Sequence, residues 1–278
     1  MNERSGKFIG SDGSSLFFRY WCPEGTAKSV VVLVHGAGEH CGRYQMLAER
    51  FVARGFAVAS YDQIGHGQSE GTPGHIDKFS DYLDSLDIFH RQVTADFPGQ
   101  SHFLLGHSMG GLVGCNYLLE YQDKFIGCVL SGPAVKTELK PGFIQMLIIR
   151  TLSALFPKAG ALGLDSAGVS RDPAVVEAYD KDPLVFHGKM SARKINELFK
   201  YMTRIQSRAA EITLPLLLLH GSEDTMAAPS GSVFLDESTA SSDKTLHVYP
   251  GLYHEIFNEP EREEIFSEVL DWMDARLG

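Results

Sequence analysis

The chain of 278 residues is 44% hydrophobic and 22% charged, a composition typical of a soluble globular protein with a large core. Its 35 acidic and 25 basic side chains give a formal net charge of -10, and no cluster of Lys and Arg offers a face for phosphates. The composition therefore argues against the class of nucleic-acid-binding proteins, and no nucleic acid is expected as a partner.

The first residues and the Cys and His content indicate where the protein works. Residues 1–7 lack the basic start and apolar core of a signal peptide, and no later apolar run is as long as a bilayer span, so a cytoplasmic protein is expected. The four cysteines form no Cys-x-x-Cys pair, and the 11 histidines show no metal-ligand spacing. We therefore expect reduced thiols, no metal site and no cofactor.

The first half of the chain alternates between strand and helix patterns. Two apolar runs around a Gly-rich turn predict an opening hairpin, and residues 29–35, a β-branched run without polar alternation, predict a strand covered on both faces. This alternation indicates right-handed crossovers onto a mostly parallel sheet, which is the α/β class. The predicted strands cover 8–9, 16–21, 29–35, 57–61, 102–105 and 125–131, and the predicted helices 44–54, 79–97 and 112–121.

A glycine-rich turn, residues 35–40, follows the first of these buried strands. Such a turn at the carboxyl end of a central strand can direct backbone amides at a ligand, so the N–H of Ala37 is a candidate oxyanion donor. The alternative interpretation is a plain connection from strand to helix.

The motif Gly-x-Ser-x-Gly stands between a predicted strand and a predicted helix. Gly106 and Gly110 allow a turn so tight that the hydroxyl of Ser108 is left at its apex. The N–H of Met109 faces the same way at the N-terminus of the helix, where a developing oxyanion would be stabilised. One turn is therefore predicted to supply a nucleophile and half of an oxyanion hole.

The alternation breaks between residues 132 and 212. A helix over 143–156 is apolar almost all round, and a second helix covers 191–207. We interpret 133–212 as an inserted helical lid whose apolar face meets a lipid-like substrate or a membrane, with 1–132 and 213–278 forming the α/β core. The alternative is a helical subdomain whose apolar face is entirely core.

The α/β pattern then resumes, and its loops supply partners for the serine. A serine hydroxyl needs an imidazole to take its proton and a carboxylate to orient that imidazole. Asp224 and His254 follow later strands, in the chain order serine, acid, histidine that suits an open parallel sheet. Rival side chains interpreted as structural or misdirected are Glu223, His220 and His247. The predicted elements are strands over 214–220 and 244–249 and helices over 230–237 and 260–277.

Together these motifs resemble the α/β-hydrolase superfamily, and more closely its branch of monoacylglycerol lipases and lysophospholipase-like serine hydrolases. The resemblance implies a fatty acyl ester in a tunnel under the lid, with the alcohol end held by polar groups. It implies alcohol-side contacts from Glu39, Arg43 and Tyr179, and it matches Ala37 and Met109 to the oxyanion donors. The likeness extends through residues 42–44, 65–71, 179–184 and 243–246.

The leading hypothesis is a serine carboxylic-ester hydrolase that cleaves monoacylglycerols to fatty acid and glycerol through an acyl-enzyme. The alternatives within enzymes are a lysophospholipase, a broad-specificity carboxylesterase and a peptidase. A dehalogenase or epoxide hydrolase is disfavoured because their chemistry needs an aspartate where this chain has Ser108. Outside enzymes, the alternatives are a hydrolase-fold binding protein and a membrane scaffold. A small lipid ester is the expected partner, with transient membrane contact through the lid.

Overall fold

The computed structural model describes residues 1–137 and 142–277. Residues 138–141 of the predicted lid and residue 278 of the predicted core lie outside the described residues. The strands are β1 (Asn2–Ile9), β2 (Ser15–Cys22), β3 (Val30–Val34), β4 (Ala57–Tyr61), β5 (His102–His107), β6 (Gly127–Ser131), β7 (Gly160–Gly163), β8 (Lys189–Ser191), β9 (Leu216–Gly221) and β10 (Lys244–Tyr249). The helices are α1 (Gln45–Ala53), α2 (Ser80–Asp96), α3 (Met109–Tyr121), α4 (Phe143–Leu155), α5 (Pro173–Lys181), α6 (Ala192–Arg208), α7 (Ser230–Ser238) and α8 (Arg262–Asp274).

The central sheet runs in the order β1-β2-β4-β3-β5-β6-β9-β10, counted over the described ranges. β1, β2 and β4 pair antiparallel, and every neighbouring pair from β4 to β10 is parallel. The predicted hairpin, strands and helices of the α/β part are confirmed, with shifts of a few residues at most ends, but β1 begins at Asn2, six residues before the predicted start. Because β3, β4, β5, β6, β9 and β10 are parallel, the loops at their carboxyl ends meet along one edge of the sheet.

The central strands are buried on both faces. Successive side chains of a strand point to opposite sides of its sheet, so an unbroken apolar run needs a cover on each face. Val30, Val32 and Val34 of β3 join a core that includes side chains of α2 and α3. Val31 and Leu33 join a second core with α1 and α8. The β-branched run without alternation is therefore explained by helices on both sides.

The chain between β6 and β9 carries α4, α5, α6 and the antiparallel pair β7–β8. α4 and α6 lie where the sequence predicts helices, whereas α5 and the β7–β8 pair were not predicted. α5 has its own start signal, because Asp172 accepts a hydrogen bond from the Ala174 amide and Pro173 occupies the first turn. β7 reads Gly-Ala-Leu-Gly and is exposed, so its strand conformation depends on pairing with β8. The division at 133–212 remains a prediction.

The helix α4 packs against α6, yet it leaves much of its apolar surface uncovered. The relative exposure of Ile144 is 72%, that of Leu147 54% and that of Leu155 67%. The alternative of a subdomain whose apolar face is entirely core is therefore wrong. Within the described ranges, no helix combines the length and the apolarity needed to cross a bilayer.

Candidate active site

Ser108 occupies a strained turn between β5 and α3. Its φ of 54° makes it the only non-glycine residue with a positive φ among those described. Such a conformation costs of order 1–3 kcal/mol and persists where surrounding contacts enforce it. The Ser108 amide donates to the Ser131 carbonyl at 3.0 Å, and the Ser108 carbonyl accepts from the amides of Leu112 and Ala134 at 3.1 and 3.0 Å. These bonds hold the turn and leave the hydroxyl at its apex.

The glycines on either side of Ser108 are required by close backbone approach. A Cβ atom added at Gly110 would lie 2.0 Å from the carbonyl oxygen of Val34 in β3. A Cβ atom at Gly106 would lie 2.7 Å from the carbonyl oxygen of Gly110. Because backbone cannot yield as a flexible side chain can, only glycine fits, and the predicted reason for the motif holds.

Asp224 and His254 form a buried hydrogen-bonded pair at the same edge of the sheet. Asp224 lies in the turn after β9, and His254 lies in the loop after β10. His254 Nδ1 donates to Asp224 Oδ2 at 2.6 Å, while Asp224 Oδ1 accepts from the amides of Met226 and Ala227 at 2.8 and 2.9 Å. Because an ionised carboxylate can only accept, Nδ1 carries the proton and Nε2 is left as the basic atom.

The pKa values of this pair shift in opposite directions. Burial acts to raise the pKa of Asp224, but the charge of His254 and hydrogen bonds from His220, His254 and the Ala227 amide lower it below its usual range. Burial acts to lower the pKa of His254, but the Asp224 charge and hydrogen bond, with smaller contributions from other carboxylates, raise it. An ionised Asp224 therefore stabilises the imidazolium that would form on His254.

Ser108 and His254 line the same cavity. No hydrogen bond joins the Ser108 hydroxyl to the His254 ring, although both residues are among those described. Such bonds are often loose in a ligand-free site and tighten in the Michaelis complex. The ring of His107 packs against His254 with 4.7 Å between centroids, and burial lowers the pKa of His107 to about 4, so this neighbour is neutral.

The rival side chains Glu223 and His247 are exposed, unlike the buried pair of Asp224 and His254. Glu223 is exposed and accepts a hydrogen bond from Ser222, whereas its neighbour Asp224 is buried. His247 is exposed on β10 and contacts Glu268. The geometry therefore favours Asp224 over Glu223 as the partner of the His254 imidazole.

The two candidate oxyanion donors lie at the cavity beside Ser108. Neither the Ala37 amide nor the Met109 amide donates to a protein acceptor in the part of the chain that the structure describes. Met109 begins α3, so its amide adds to the positive end of the helix dipole. The turn that carries Ala37 is held because the Gly36 amide donates to Glu39 Oε1 at 2.5 Å.

A buried cluster of charges, which we call the Arg43 clamp, consists of Arg43, Glu39 and Glu255. Arg43 Nη1 donates to Glu255 Oε1 at 2.5 Å and to Glu39 Oε2 at 3.1 Å, and Nη2 donates to Glu255 Oε2 at 2.7 Å. The Tyr44 hydroxyl donates to Glu39 Oε1 at 2.8 Å. Burial acts to raise the pKa of Glu39, but the charge of Arg43, aided by smaller contributions, lowers it to about 2. Both acids therefore lie beside a cation that compensates their burial.

The Arg43 clamp joins three parts of the site. Glu39 holds the Gly36 amide, Glu255 directly follows His254, and the Arg43 guanidinium lies over the Tyr179 ring of α5, 4.7 Å from its centroid. Glu39 and Tyr179 line the cavity, as the resemblance implied for residues near the alcohol. Arg43 lies behind them and is not among the described residues that line it.

Sequence reasoning missed the roles of Glu255 and His220. Glu255 directly follows the predicted general base, and an acid in that position was an available signal. His220 was interpreted as structural, yet its Nε2 lies 3.0 Å from Asp224 Oδ2. His220 lies near the end of β9, and Asp224 follows it by four residues in the next turn. This short spacing was the signal for the contact.

The cavity at Ser108 has a volume of about 670 Å³. Its polar end contains Ser108, Glu39 and Glu255, and its remaining wall is mainly apolar. Most of that apolar wall comes from the chain between β6 and β9. Examples are Ile148, Ile149, Leu162, Ile195, Leu198 and Met202.

The strand order, the strained serine turn and the buried carboxylate–imidazole pair define the fold class of the α/β hydrolases. The chain belongs to the family described as serine aminopeptidase, S33, whose family model matches residues 25–261. The family resemblance and the fold predicted from the motifs are thereby confirmed.

Curated relatives and solved structures agree with this membership. The chain is 38% identical over 270 residues to the monoacylglycerol lipase of Mycolicibacterium smegmatis, which covers 97% of this chain and 96% of the relative. It is 35% identical over 273 residues to the monoglyceride lipase of Rattus norvegicus, covering 97% of this chain and 90% of the relative. The crystal structure of Paleococcus ferrophilus monoacylglycerol lipase superposes with a TM-score of 0.83 at 33% identity, covering 99% of this chain and 100% of that one.

Replacing the cation of the Arg43 clamp should destabilise the fold far more than replacing an exposed one. Arg43→Met leaves two buried carboxylates without their cation, so we expect the free energy of unfolding to fall by about 3–5 kcal/mol. Arg50→Met breaks a bidentate pair with Glu263 whose partners are each about half exposed, and solvent screening should make its cost much smaller. Urea unfolding at neutral pH measures both, and losses of equal size would contradict the clamp.

Proposed function

We propose that the protein is a serine carboxylic-ester hydrolase that cleaves monoacylglycerols to fatty acid and glycerol. The observation that carries this proposal is the hydrogen-bonded pair of Asp224 and His254 beside the strained Ser108, opening on a largely apolar cavity of about 670 Å³. Similarity over nearly the whole chain to monoacylglycerol lipases supports the choice of substrate.

The proposed reaction proceeds through an acyl-enzyme. His254 Nε2 takes the proton of Ser108 as the hydroxyl oxygen attacks the ester carbonyl, and the amides of Ala37 and Met109 stabilise the tetrahedral oxyanion. The ester bond to glycerol then breaks, and the glycerol oxygen leaves with the proton from His254. A water molecule, deprotonated by His254, attacks the acyl group, and the Ser108 oxygen recovers its proton as the fatty acid leaves.

Substrate contacts follow from the two ends of the cavity. The apolar wall accommodates the acyl chain, because burying each methylene is worth about 0.8 kcal/mol. At the polar end, Glu39 and Tyr179 hold the glycerol hydroxyls, and Arg43 positions both of them from behind. A lysophospholipid is disfavoured because the two carboxylates of the Arg43 clamp outnumber its one cation, so the polar end offers no excess positive charge for a phosphate.

We propose further that residues 133–212 act as a lid and that α4 makes transient contact with membranes. α4 exposes a row of large apolar side chains, and Ile148 of the same helix lines the cavity, so lipid contact and substrate entry share one helix. With a net charge of -10, attraction to anionic lipids cannot supply the binding energy, and burial of apolar area must. A cytoplasmic protein that is peripheral at membranes fits this surface.

Purified protein should hydrolyse monoacylglycerols faster than the other classes in a substrate panel. The panel comprises monoacylglycerols, a diacylglycerol, a lysophospholipid, p-nitrophenyl esters of rising chain length and an aminoacyl amide. Ser108→Ala should lose at least about a thousandfold in kcat/KM and resist labelling by a fluorophosphonate ester. A wild-type protein that takes no label would indicate a binding protein, and equal rates on every ester would leave only a carboxylesterase.

The pH profile should report His254. Only the neutral ring can accept the Ser108 proton, so kcat/KM should fall as the pH drops through the His254 pKa, which lies above the ordinary value of roughly 6.5. Asp224→Asn removes the charge that raises this pKa, so the acid limb should move to lower pH while the plateau falls by up to about ten-thousandfold. Asp123→Asn, on an exposed turn, should leave the profile unchanged. An acid limb that stays in place in Asp224→Asn would reject the pairing.

The membrane contact should depend on the exposed face of α4. A triple variant, Ile144→Ser with Leu147→Ser and Leu155→Ser, should lose co-sedimentation with phosphatidylcholine vesicles and activity on vesicle-bound monoacylglycerol. Its activity on a water-soluble p-nitrophenyl ester should persist, because none of the three side chains lines the cavity. Ile9→Ser with Val248→Ser removes exposed apolar groups elsewhere and serves as the control. Unchanged vesicle binding in the triple variant would show that this face of α4 is not the membrane contact.

A further inference from the structure

A second imidazole, that of His220, contacts the same carboxylate oxygen of Asp224 that accepts the hydrogen bond from His254. His220, at the end of β9, places its Nε2 3.0 Å from Asp224 Oδ2 and 3.2 Å from the Ala227 carbonyl oxygen. Its Nδ1 lies 2.7 Å from the hydroxyl oxygen of Ser232 in α7. His220 and Ser232 have no exposed surface, and the Asp224 side chain has none either.

The partners of His220 determine where its proton lies. The carboxylate and the Ala227 carbonyl can only accept, so Nε2 carries a proton and donates to both. Nδ1 lies within hydrogen-bond distance of the Ser232 hydroxyl, which can donate to it. A continuous chain of buried hydrogen bonds therefore runs from Ser232 through His220 and Asp224 to His254.

We propose that His220, supported by Ser232, is a positioning residue for the ester hydrolysis; the inference rests on the proposed function. Asp224 Oδ2 receives N–H groups from His220 and His254, and Oδ1 receives two backbone amides. Because each carboxylate oxygen accepts two hydrogen bonds, the carboxylate cannot rotate away from the imidazole of His254.

His220 also weakens the electrostatic stabilisation that Asp224 gives to the protonated ring of His254. Two N–H donors share the negative charge of one oxygen, so each is held less strongly than a single donor would be. Removing the His220 donor concentrates that charge on His254, which favours the protonated ring. The other groups that face His254 are the neutral His107 and the carboxylates of Glu255 and Glu39, which the change leaves in place.

The test compares His220→Leu, which removes the donor, with His220→Gln, whose amide N–H can reach the position of Nε2. We expect His220→Leu to lower kcat/KM by about tenfold, mainly through kcat, by analogy with groups that orient a metal ligand from behind. Its acid limb should move to higher pH, the direction opposite to that expected for Asp224→Asn. His220→Gln should restore the wild-type midpoint and most of the rate, and Ser232→Ala should shift the midpoint as His220→Leu does, but less.

His90→Leu is the matched control. His90 is a buried histidine whose Nε2 lies 2.9 Å from His102 Nδ1, away from the cavity lining. It should lose stability in urea without any shift of the pH midpoint. The rates are normalised to the fraction of Ser108 that a fluorophosphonate labels, so unfolded protein does not count.

Two failures are distinguishable. If the wild-type protein neither hydrolyses esters nor takes the label, the proposed function fails. If it does both, and His220→Leu keeps the wild-type rate and midpoint or is not rescued by His220→Gln, the positioning role alone is overturned and His220 is a packing residue.

Discussion

The buried carboxylate of Asp224 is the constraint on which the site depends. An ionised carboxylate away from water costs several kcal/mol unless donors surround it. Its donors here are the amides of Met226 and Ala227 in the turn after β9, His220 at the end of β9, and His254 after β10. Because β9 and β10 are parallel neighbours, pairing these strands brings the donors together. Satisfying this charge therefore places the imidazole of His254.

Two further devices fix the other half of the site. The hydrogen bonds of the Ser108 turn hold a backbone conformation that the residue would not adopt alone. The Arg43 clamp ties the turn that carries Ala37 to the loop that carries His254. Strand ends that are far apart in the sequence are thereby joined by hydrogen bonds and ion pairs that do not involve a substrate.

Local pattern was sufficient for the strands of the central sheet, and it also pointed to the residues of the candidate triad. Buried strands read as apolar runs, the glycines around Ser108 mark a turn with a steric reason, and chain order points to the acid and the histidine. The contact of Glu255 with Arg43 could not be predicted, because it forms only when separate loops meet. The contact of His220 with Asp224 is local, and the spacing of four residues was a signal that was not used. β7 was missed because its residues have weak strand propensity, and α5 was missed because its amphipathic pattern is short. α4 was predicted as a helix, but its exposure depends on what packs against it, which no local pattern contains.

The steric lock at the serine turn sets unequal limits on how this enzyme can diverge. A side chain at Gly110 would overlap the backbone of β3, so no other amino acid can replace this glycine without displacing the strand. The apolar wall supplied by α4 and α6 has no comparable lock, since methylene-sized changes among Ile148, Leu198 and Met202 can be absorbed by repacking. New acyl preferences can therefore arise by substitution in the segment between β6 and β9 while the chemistry is inherited unchanged.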